Sequence, residues 1–197
     1  MLLMCAVFKG RSRTLVLFLL FGVLAAIFAG AINTYIIQKT GNTRFFVTVN
    51  IAPVVEEILK AIPILIFAFA FKKDRQSLLE SAISCGIGFA MYENVYLLLQ
   101  SQNLTLTLAI LRGLGAGLMH SICTFAVAFG VSLFVKYKSW FLSGTVALLA
   151  MAMTFHSLYN ILIQSQYTVI GVFLPIIAYV PILIYGIKKK NGKRTQR

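Results

Sequence analysis

The sequence has few charged residues for its length. Of its 197 residues only 12% are charged and 59% are hydrophobic, and the mean hydropathy is +0.88. So little charge cannot cover the surface of a water-soluble globule, and the composition therefore indicates an integral membrane protein. Low-complexity tracts, Gly/Ser linkers and internal repeats are also missing, which predicts one membrane domain over residues 1–197.

Cysteine is scarce as well. The three cysteines, Cys5, Cys85 and Cys123, are scattered along the chain and form no C-x-x-C pattern. This spacing argues against a disulfide framework and against a cysteine-based metal site. Two of the three fall in apolar runs, where a thiol behaves as a small hydrophobe.

Acidic residues are the rarest charged class, with 5 against 18 Lys and Arg and a net charge of +13. The basic residues form short clusters between apolar runs and at both ends, which is typical of membrane topology and not of nucleic-acid binding. With the N-terminus in the cytoplasm, the cytoplasmic segments hold fourteen Lys or Arg, and the outer loops hold only Lys39 and Arg44. The sequence therefore predicts a multi-pass protein of the cell membrane with both ends cytoplasmic.

The apolar runs predict an all-α bundle of six transmembrane helices. They span residues 14–37, 45–71, 78–99, 106–135, 140–163 and 168–187. The first run could instead be a signal peptide cleaved near Ala29-Gly30-Ala31, but it exceeds the roughly 7–15 apolar residues of such a signal, which favours a retained helix. Pro53 and Pro63 interrupt the second run, where they are expected to free backbone carbonyls and bend the helix.

Three charges, Glu56, Glu57 and Lys60, lie inside the second apolar run. Each would cost about 2.5–3.5 kcal/mol at the bilayer centre, so partners or water must receive them. Glu56 and Lys60 are four residues apart and share a helix face, whereas Glu57 points about 100° away. One carboxylate can therefore pair with Lys60 while the other has a different role. A purely structural ion pair is the alternative.

Further polar residues lie in three other predicted helices: Glu93, His120, and the pair His156 and Asn160, which share one face. At about 1.5 Å of rise per residue, Glu56, Glu93 and both histidines fall between the bilayer centre and the outer interface. They can therefore converge. Packing alone rarely requires polar side chains from four helices, so the sequence predicts an intramembrane functional site.

These polar positions fall in four motifs that resemble those of the PrsW family, in the same order and within residues 53–160. The motifs are E-E-x-x-K at 56–60, F-x-x-x-E-N at 89–94, a single histidine at 120, and a histidine and asparagine at 156 and 160. The wider superfamily, which includes CAAX prenyl endopeptidases and bacteriocin-processing proteins, usually has E-E-x-x-x-R and a histidine in the second motif. Lys60 and Glu93 therefore point to the PrsW branch. The resemblance implies a glutamic-type intramembrane peptidase that acts on membrane-anchored protein or peptide substrates in the lipid bilayer.

Peptide hydrolysis needs a water activated by a base, and donors for the oxyanion that develops. The resemblance implies that Glu56 is the base, while Glu57 would pair with polar neighbours or help hold the water. His120 would orient the water or shuttle its proton, and His156 and Asn160 would donate to the oxyanion. The predicted catalytic residues are Glu56, Glu57, Glu93, His120, His156 and Asn160, and Lys60 and Asn94 are predicted to support them.

Two alternatives use the same residues. Glu and His are also zinc ligands, and a metal-bound water would attack in the same way. Because the sequence contains no H-E-x-x-H, this interpretation ranks below a site without a cofactor. In the second alternative the polar residues form the relay of a non-enzymatic proton- or ion-coupled membrane protein. The absence of visible inverted repeats in the sequence weakens that hypothesis.

Overall fold

The structure is a computed structural model that describes residues 7–71, 74–100, 105–134, 139 and 141–194. The regular structure within these ranges is helical throughout and includes no strand. We number the six long helices α1 (Gly10–Thr40), α2 (Ala52–Ala70), α3 (Arg75–Gln100), α4 (Leu106–Phe134), α5 (Phe141–Ile163) and α6 (Thr168–Arg194). The prediction of an all-α membrane helix bundle is confirmed.

The helix boundaries agree with the predicted spans to within a few residues, except at the start of α2, where the first part of the second span forms separate helical segments at 44–51, and at the end of α6. That helix was expected to stop at residue 187 but continues to Arg194. Lys and Arg are good helix formers, so an apolar helix that is already nucleated extends readily into a basic segment. Several predicted features lie outside the described residues: Cys5, the lysines at 72–73, the turns at 101–103 and 136–138, and the last residues of the tail, 195–197.

Four helical segments are long and apolar enough to cross a membrane: α1, α3, α5 and the part Ala109–Leu133 of α4. The other two long helices differ for identifiable reasons. α2 carries three charged residues among its 19, and the apolar part found in α6 is the shorter segment Thr168–Pro181. The bundle is thus that of a membrane protein. That all six helices cross the membrane, with both ends of the chain in the cytoplasm, stays a prediction.

The charged helix α2 occupies the centre of the bundle, where it packs against α1, α3, α4 and α5. Its buried residues recur at intervals of three and four and so form one inward face. They are Ala52, Pro53, Glu56, Glu57, Lys60, Ala61, Ile64 and Phe67. Because this face points at neighbouring helices and not at lipid, the polar residues of α2 can contact side chains of several other helices.

The first helix is a full member of the bundle. α1 and α3 pack so closely that a Cβ atom on Gly22 would overlap the carbonyl oxygen of Cys85, and one on Gly88 would overlap that of Leu19. Small residues of this kind let two membrane helices approach through their backbones. Further along, Ala25, Ala26 and Ala29 pack against Phe89 of α3. This packing makes α1 part of the bundle, and its retention in the mature protein stays a prediction.

A helical turn, Arg44–Phe46, and a π-helical segment, Val47–Ile51, lead into α2 without a break. In the π-helical pattern the N–H of Ala52 bonds to the carbonyl of Val47, so the carbonyl of Thr48 would pair with the N–H of residue 53. That residue is proline, which has no N–H. Asn160 of α5 donates from Nδ2 to this free carbonyl at 3.0 Å. Pro53 thus frees a carbonyl as predicted, and a predicted site residue satisfies it.

Candidate active site

A buried network of charged and polar side chains lies between α2 and α4. Lys60 Nζ donates to Glu57 Oε1 at 2.7 Å and to His120 Nδ1 at 2.9 Å, and it lies 4.7 Å from the ring centre of Phe89. Lys60, Glu57 and His120 are all almost completely buried. Of the two adjacent glutamates, Glu57 is therefore the one that pairs with Lys60, at a spacing of three residues instead of four.

His156 of α5 joins the same network from the other side. Its Nδ1 lies 2.8 Å from Glu57 Oε1, so this single carboxylate oxygen binds both Lys60 and His156. A carboxylate only accepts, so Nδ1 carries the hydrogen, and in the neutral imidazole the other ring nitrogen, Nε2, then has a lone pair. Nε2 is buried with no hydrogen-bond partner among the described residues. It lies 3.7 Å from Glu56 Oε2.

The position of His120 is fixed through both of its ring nitrogens. Because the Lys60 ammonium can only donate, His120 Nδ1 must accept, and His120 Nε2 must carry the hydrogen. His120 Nε2 lies 2.7 Å from Glu93 Oε2, so the imidazole donates to the carboxylate of α3. His120 thereby connects the charge of Lys60 to Glu93, whose side chain is only partly buried, at 27% exposure.

Glu56 is buried but held much less firmly than Glu57. Its Oε1 accepts a long hydrogen bond of 3.4 Å from Asn33 Nδ2 of α1. Its Oε2 is buried and has no hydrogen-bond partner in the described part of the chain. An unsatisfied buried carboxylate oxygen is costly, and it is typical of a site that receives water, a metal ion or a substrate.

The two asparagines of the predicted site have structural partners. Asn160 Nδ2 donates to the carbonyl of Thr48, as described above, and one of its two hydrogens stays free for another acceptor. Asn94 Nδ2 donates to the carbonyl of Arg112 at 3.4 Å, which ties α3 to α4 next to Glu93. Asn94 itself is buried, in keeping with a supporting position.

A cavity of about 470 Å³ lies beside Glu56. Its lining includes polar residues from five helical elements: Asn33, Thr48, Glu56, Glu93 and Asn160. The lining also includes Arg44 and Gln100, two exposed residues that hydrogen bond to each other at 3.4 Å where α3 ends. The cavity thus extends from the buried Glu56 to one end of the bundle. Glu57, Lys60 and both histidines lie behind its wall.

All eight residues predicted for the site take part in this arrangement, but the sequence analysis missed Asn33 and the Thr48 carbonyl. Asn33 is the first strongly polar side chain after the apolar stretch of α1. This isolated position could have identified it as a candidate site residue. The carbonyl of Thr48 had no comparable signal in its own side chain. It matters only because Pro53 and the π-helical segment leave it without a partner.

The donor atoms of the site can be compared with the ligands that a metal ion requires. Glu56, His120 and His156 can each offer one ligand atom, and these atoms all lie within 4.8 Å of one another. Two of them, Glu56 Oε2 and His156 Nε2, are free. Both nitrogens of His120 are engaged, one by Lys60 and one by Glu93. A catalytic zinc takes three protein ligands, so these residues could hold zinc only if His120 gave up one of its two hydrogen-bond partners.

Comparison with known proteins assigns the chain to a family. The family model described as "PrsW family intramembrane metalloprotease" matches residues 10–186, which include every helix that contributes to the site. No curated protein and no solved structure matches the chain.

Proposed function

The chain belongs to the PrsW family of intramembrane proteases, and on that premise we propose that it hydrolyses peptide bonds of membrane-anchored proteins with a water that Glu56 deprotonates. One observation carries the assignment of the base. Of the two carboxylates in the cavity wall, Glu93 accepts a short hydrogen bond from His120, whereas Glu56 accepts a single long one and its Oε2 has no partner among the described residues. A general base needs both access to the water and an unoccupied lone pair.

The proposed reaction begins with a water in the cavity beside Glu56. The Glu56 carboxylate takes a proton from this water. At the same time the water oxygen bonds to the carbonyl carbon of the substrate. The electrons of the carbonyl double bond move to the oxygen, which becomes an oxyanion. When the tetrahedral intermediate collapses, the C–N bond breaks and the proton held by Glu56 passes to the departing amine nitrogen.

The surrounding residues have separate roles in this proposal. Asn160 has a second amide hydrogen beyond the one used by Thr48, and its side chain lines the cavity, so we assign it to the oxyanion. His156 presents the lone pair of Nε2 toward Glu56 at 3.7 Å, which suits it to hold the water or its proton. Glu93, oriented by His120, supplies a second carboxylate in the cavity wall.

We propose that this chemistry runs without a metal ion, although the family description contains the word metalloprotease. A bound zinc would supply a polarised water and a Lewis acid. Glu56 and His156 offer it two free ligands, and His120 could join them only by giving up Lys60 or Glu93. In the proposed site the Lys60 ammonium provides the positive charge of the network instead.

The substrate is proposed to reach the site from the end of the bundle where Arg44 and Gln100 lie. A peptide bond can be cut only in an unfolded segment, and the polar lining lets such a segment stay hydrogen-bonded within an apolar membrane. The enzyme is proposed to be a multi-pass protein of the cell membrane with both ends in the cytoplasm. A phosphatase reporter fused after Arg197 should therefore be inactive, and an active fusion would refute this orientation.

The proposed function is tested with Glu56→Gln, which keeps the volume of the side chain but cannot take a proton. Quantitative proteomics of new N-termini in membranes should reveal a membrane-anchored protein that is cut by the wild type and accumulates uncut with the variant. With that protein as substrate, purified Glu56→Gln should lose about 10²–10⁴-fold in kcat.

Glu80→Gln is the matched control, because Glu80 pairs with Arg11 and contacts neither the cavity nor the buried network. It should retain wild-type turnover. Near-wild-type turnover by purified Glu56→Gln would end the proposal that Glu56 is the base.

A further inference from the structure

The helix α1 brings one amide group into a bundle face that is otherwise apolar. Every residue from position 15 to position 32 is apolar or glycine, and Asn33 follows directly. Its side chain is half-buried and lines the cavity together with Glu56. A polar side chain in such a helix is disfavoured unless a hydrogen bond compensates it. The position of Asn33 therefore calls for an explanation in terms of its contacts.

Those contacts lead to Glu56. Asn33 Nδ2 lies 3.4 Å from Glu56 Oε1, and this is the one hydrogen bond that the described residues make to the Glu56 carboxylate. The neighbouring Glu57 is held by two partners through a single oxygen. A carboxylate with one weak partner can rotate about its terminal bond, because such sp³–sp² torsions are broad. Asn33 is thus the main restraint on the plane of the Glu56 carboxylate.

The other end of the same amide argues against a packing role. Asn33 Oδ1 is buried and has no hydrogen-bond partner within the described ranges. A leucine of similar size would fill the same space in an apolar helix without adding a buried acceptor of its own that has no partner. A residue that stabilises the fold less than an apolar one would is expected where function requires it.

We propose that Asn33 is a positioning residue of the peptidase, which donates to Glu56 Oε1 and so holds the carboxylate in the orientation that faces the cavity. This inference rests on the proposed function of Glu56 as the base. Through Asn33, α1 contributes directly to catalysis in addition to forming a wall of the bundle, although none of the four sequence motifs includes a residue of this helix.

The test is Asn33→Leu, measured with purified enzyme on the substrate identified with Glu56→Gln. We expect kcat to fall about 10²-fold, which is a typical effect of a catalytic group displaced by about 1 Å. KM should change little, because Asn33 acts through the base. The thermal midpoint in detergent should change little, because the lost long hydrogen bond to Glu56 is offset by the removal of a buried acceptor that has no partner.

Two further variants separate positioning from structure. Asn33→Gln keeps an amide donor on a longer stem and should recover part of the lost kcat. Asn42→Leu makes the same exchange of amide for leucine just beyond the end of α1, where Asn42 hydrogen bonds to Thr40 and to no other residue that the structure describes. It should leave kcat unchanged.

The inference is overturned if Asn33→Leu keeps the wild-type kcat, if it raises KM alone, or if its activity falls only in proportion to the folded fraction. Failure of the proposed function looks different, because Glu56→Gln would then be active. An inactive Glu56→Gln together with a fully active Asn33→Leu would refute only the role of Asn33.

Discussion

Glu56 and Glu57 are adjacent in α2, yet they belong to two different regions of the molecule. Glu57 lies in a closed network, where one oxygen binds both Lys60 and His156. Glu56 lies at the wall of the cavity with a single long hydrogen bond from Asn33. A rotation of about 100° between neighbouring helix positions is enough to separate these environments. The firmly held carboxylate organises the site, and the loosely held one is available for chemistry.

This contrast is tested most strongly by removing the partners of the closed network. Glu57→Gln leaves the ammonium of Lys60 buried without a counter-charge, and Lys60→Met leaves the carboxylate of Glu57 in the same condition. Each should lower the free energy of unfolding in detergent by about 3–5 kcal/mol, whereas the double variant should recover much of the loss. Chemical denaturation of the four proteins of this cycle provides the measurement.

Glu56→Gln supplies the comparison, and we expect it to change the free energy of unfolding by less than about 1 kcal/mol because no cation depends on Glu56. If Glu56→Gln and Glu57→Gln were equally destabilising, the division between an organising and a reacting carboxylate would be wrong.

The contrast is sharpened at Asn160, which lines the cavity and also donates to the backbone carbonyl of Thr48. Asn160→Ala leaves the Thr48 carbonyl without a partner, which should cost about 1–3 kcal/mol of stability. It also removes the proposed oxyanion donor, so kcat per folded molecule should fall about 10²–10³-fold. Asn160→Asp should be as damaging, because a carboxylate repels both the carbonyl and the oxyanion.

Gln164→Ala is the matched control at Asn160, since this exposed amide directly after α5 donates to the backbone carbonyl of Asn160 and to no other group in the described part of the chain. Stability and turnover should both stay near wild type. A loss of stability in Asn160→Asp with a normal kcat would withdraw the oxyanion role and leave Asn160 as the residue that closes the gap at Pro53.

The smallest effect is expected from removal of metal ions. Treatment of the purified enzyme with a strong zinc chelator should leave kcat unchanged, because His120 has no lone pair free while Lys60 and Glu93 hold it. Elemental analysis accompanies the kinetics. Stoichiometric zinc, with activity restored only by added metal, would show that His120 exchanges one of these partners for the ion.

The sequence predicted the helices well because each apolar run is long and continuous, and a membrane helix satisfies its own backbone hydrogen bonds. It also predicted which polar residues lie together inside the bundle. Glu56, Glu93 and His120 stand out in apolar surroundings, where burial of a polar group demands a partner. The end of α6 was missed because a helix boundary in a basic segment depends on propensity and not on hydropathy.

The partners within the site could not be predicted in the same way. From its spacing alone Lys60 can pair with the glutamate three or four residues before it, and both geometries are compatible with a helix. The structure decides in favour of Glu57, because His156 approaches the same oxygen from α5. Asn33 was missed for a related reason, since its importance arises only when α1 packs across Glu56.

By itself the sequence determined that this is a helical membrane protein with a polar site built from four helices, because hydropathy and isolated charges are local properties. The tertiary structure alone decided which carboxylate is neutralised and which one faces the cavity. It also decided that Asn33 of α1 lines the cavity, and that Asn160 donates to the Thr48 carbonyl that Pro53 leaves without a backbone partner. These outcomes depend on distances between residues far apart in the chain, and local sequence carries no record of such distances.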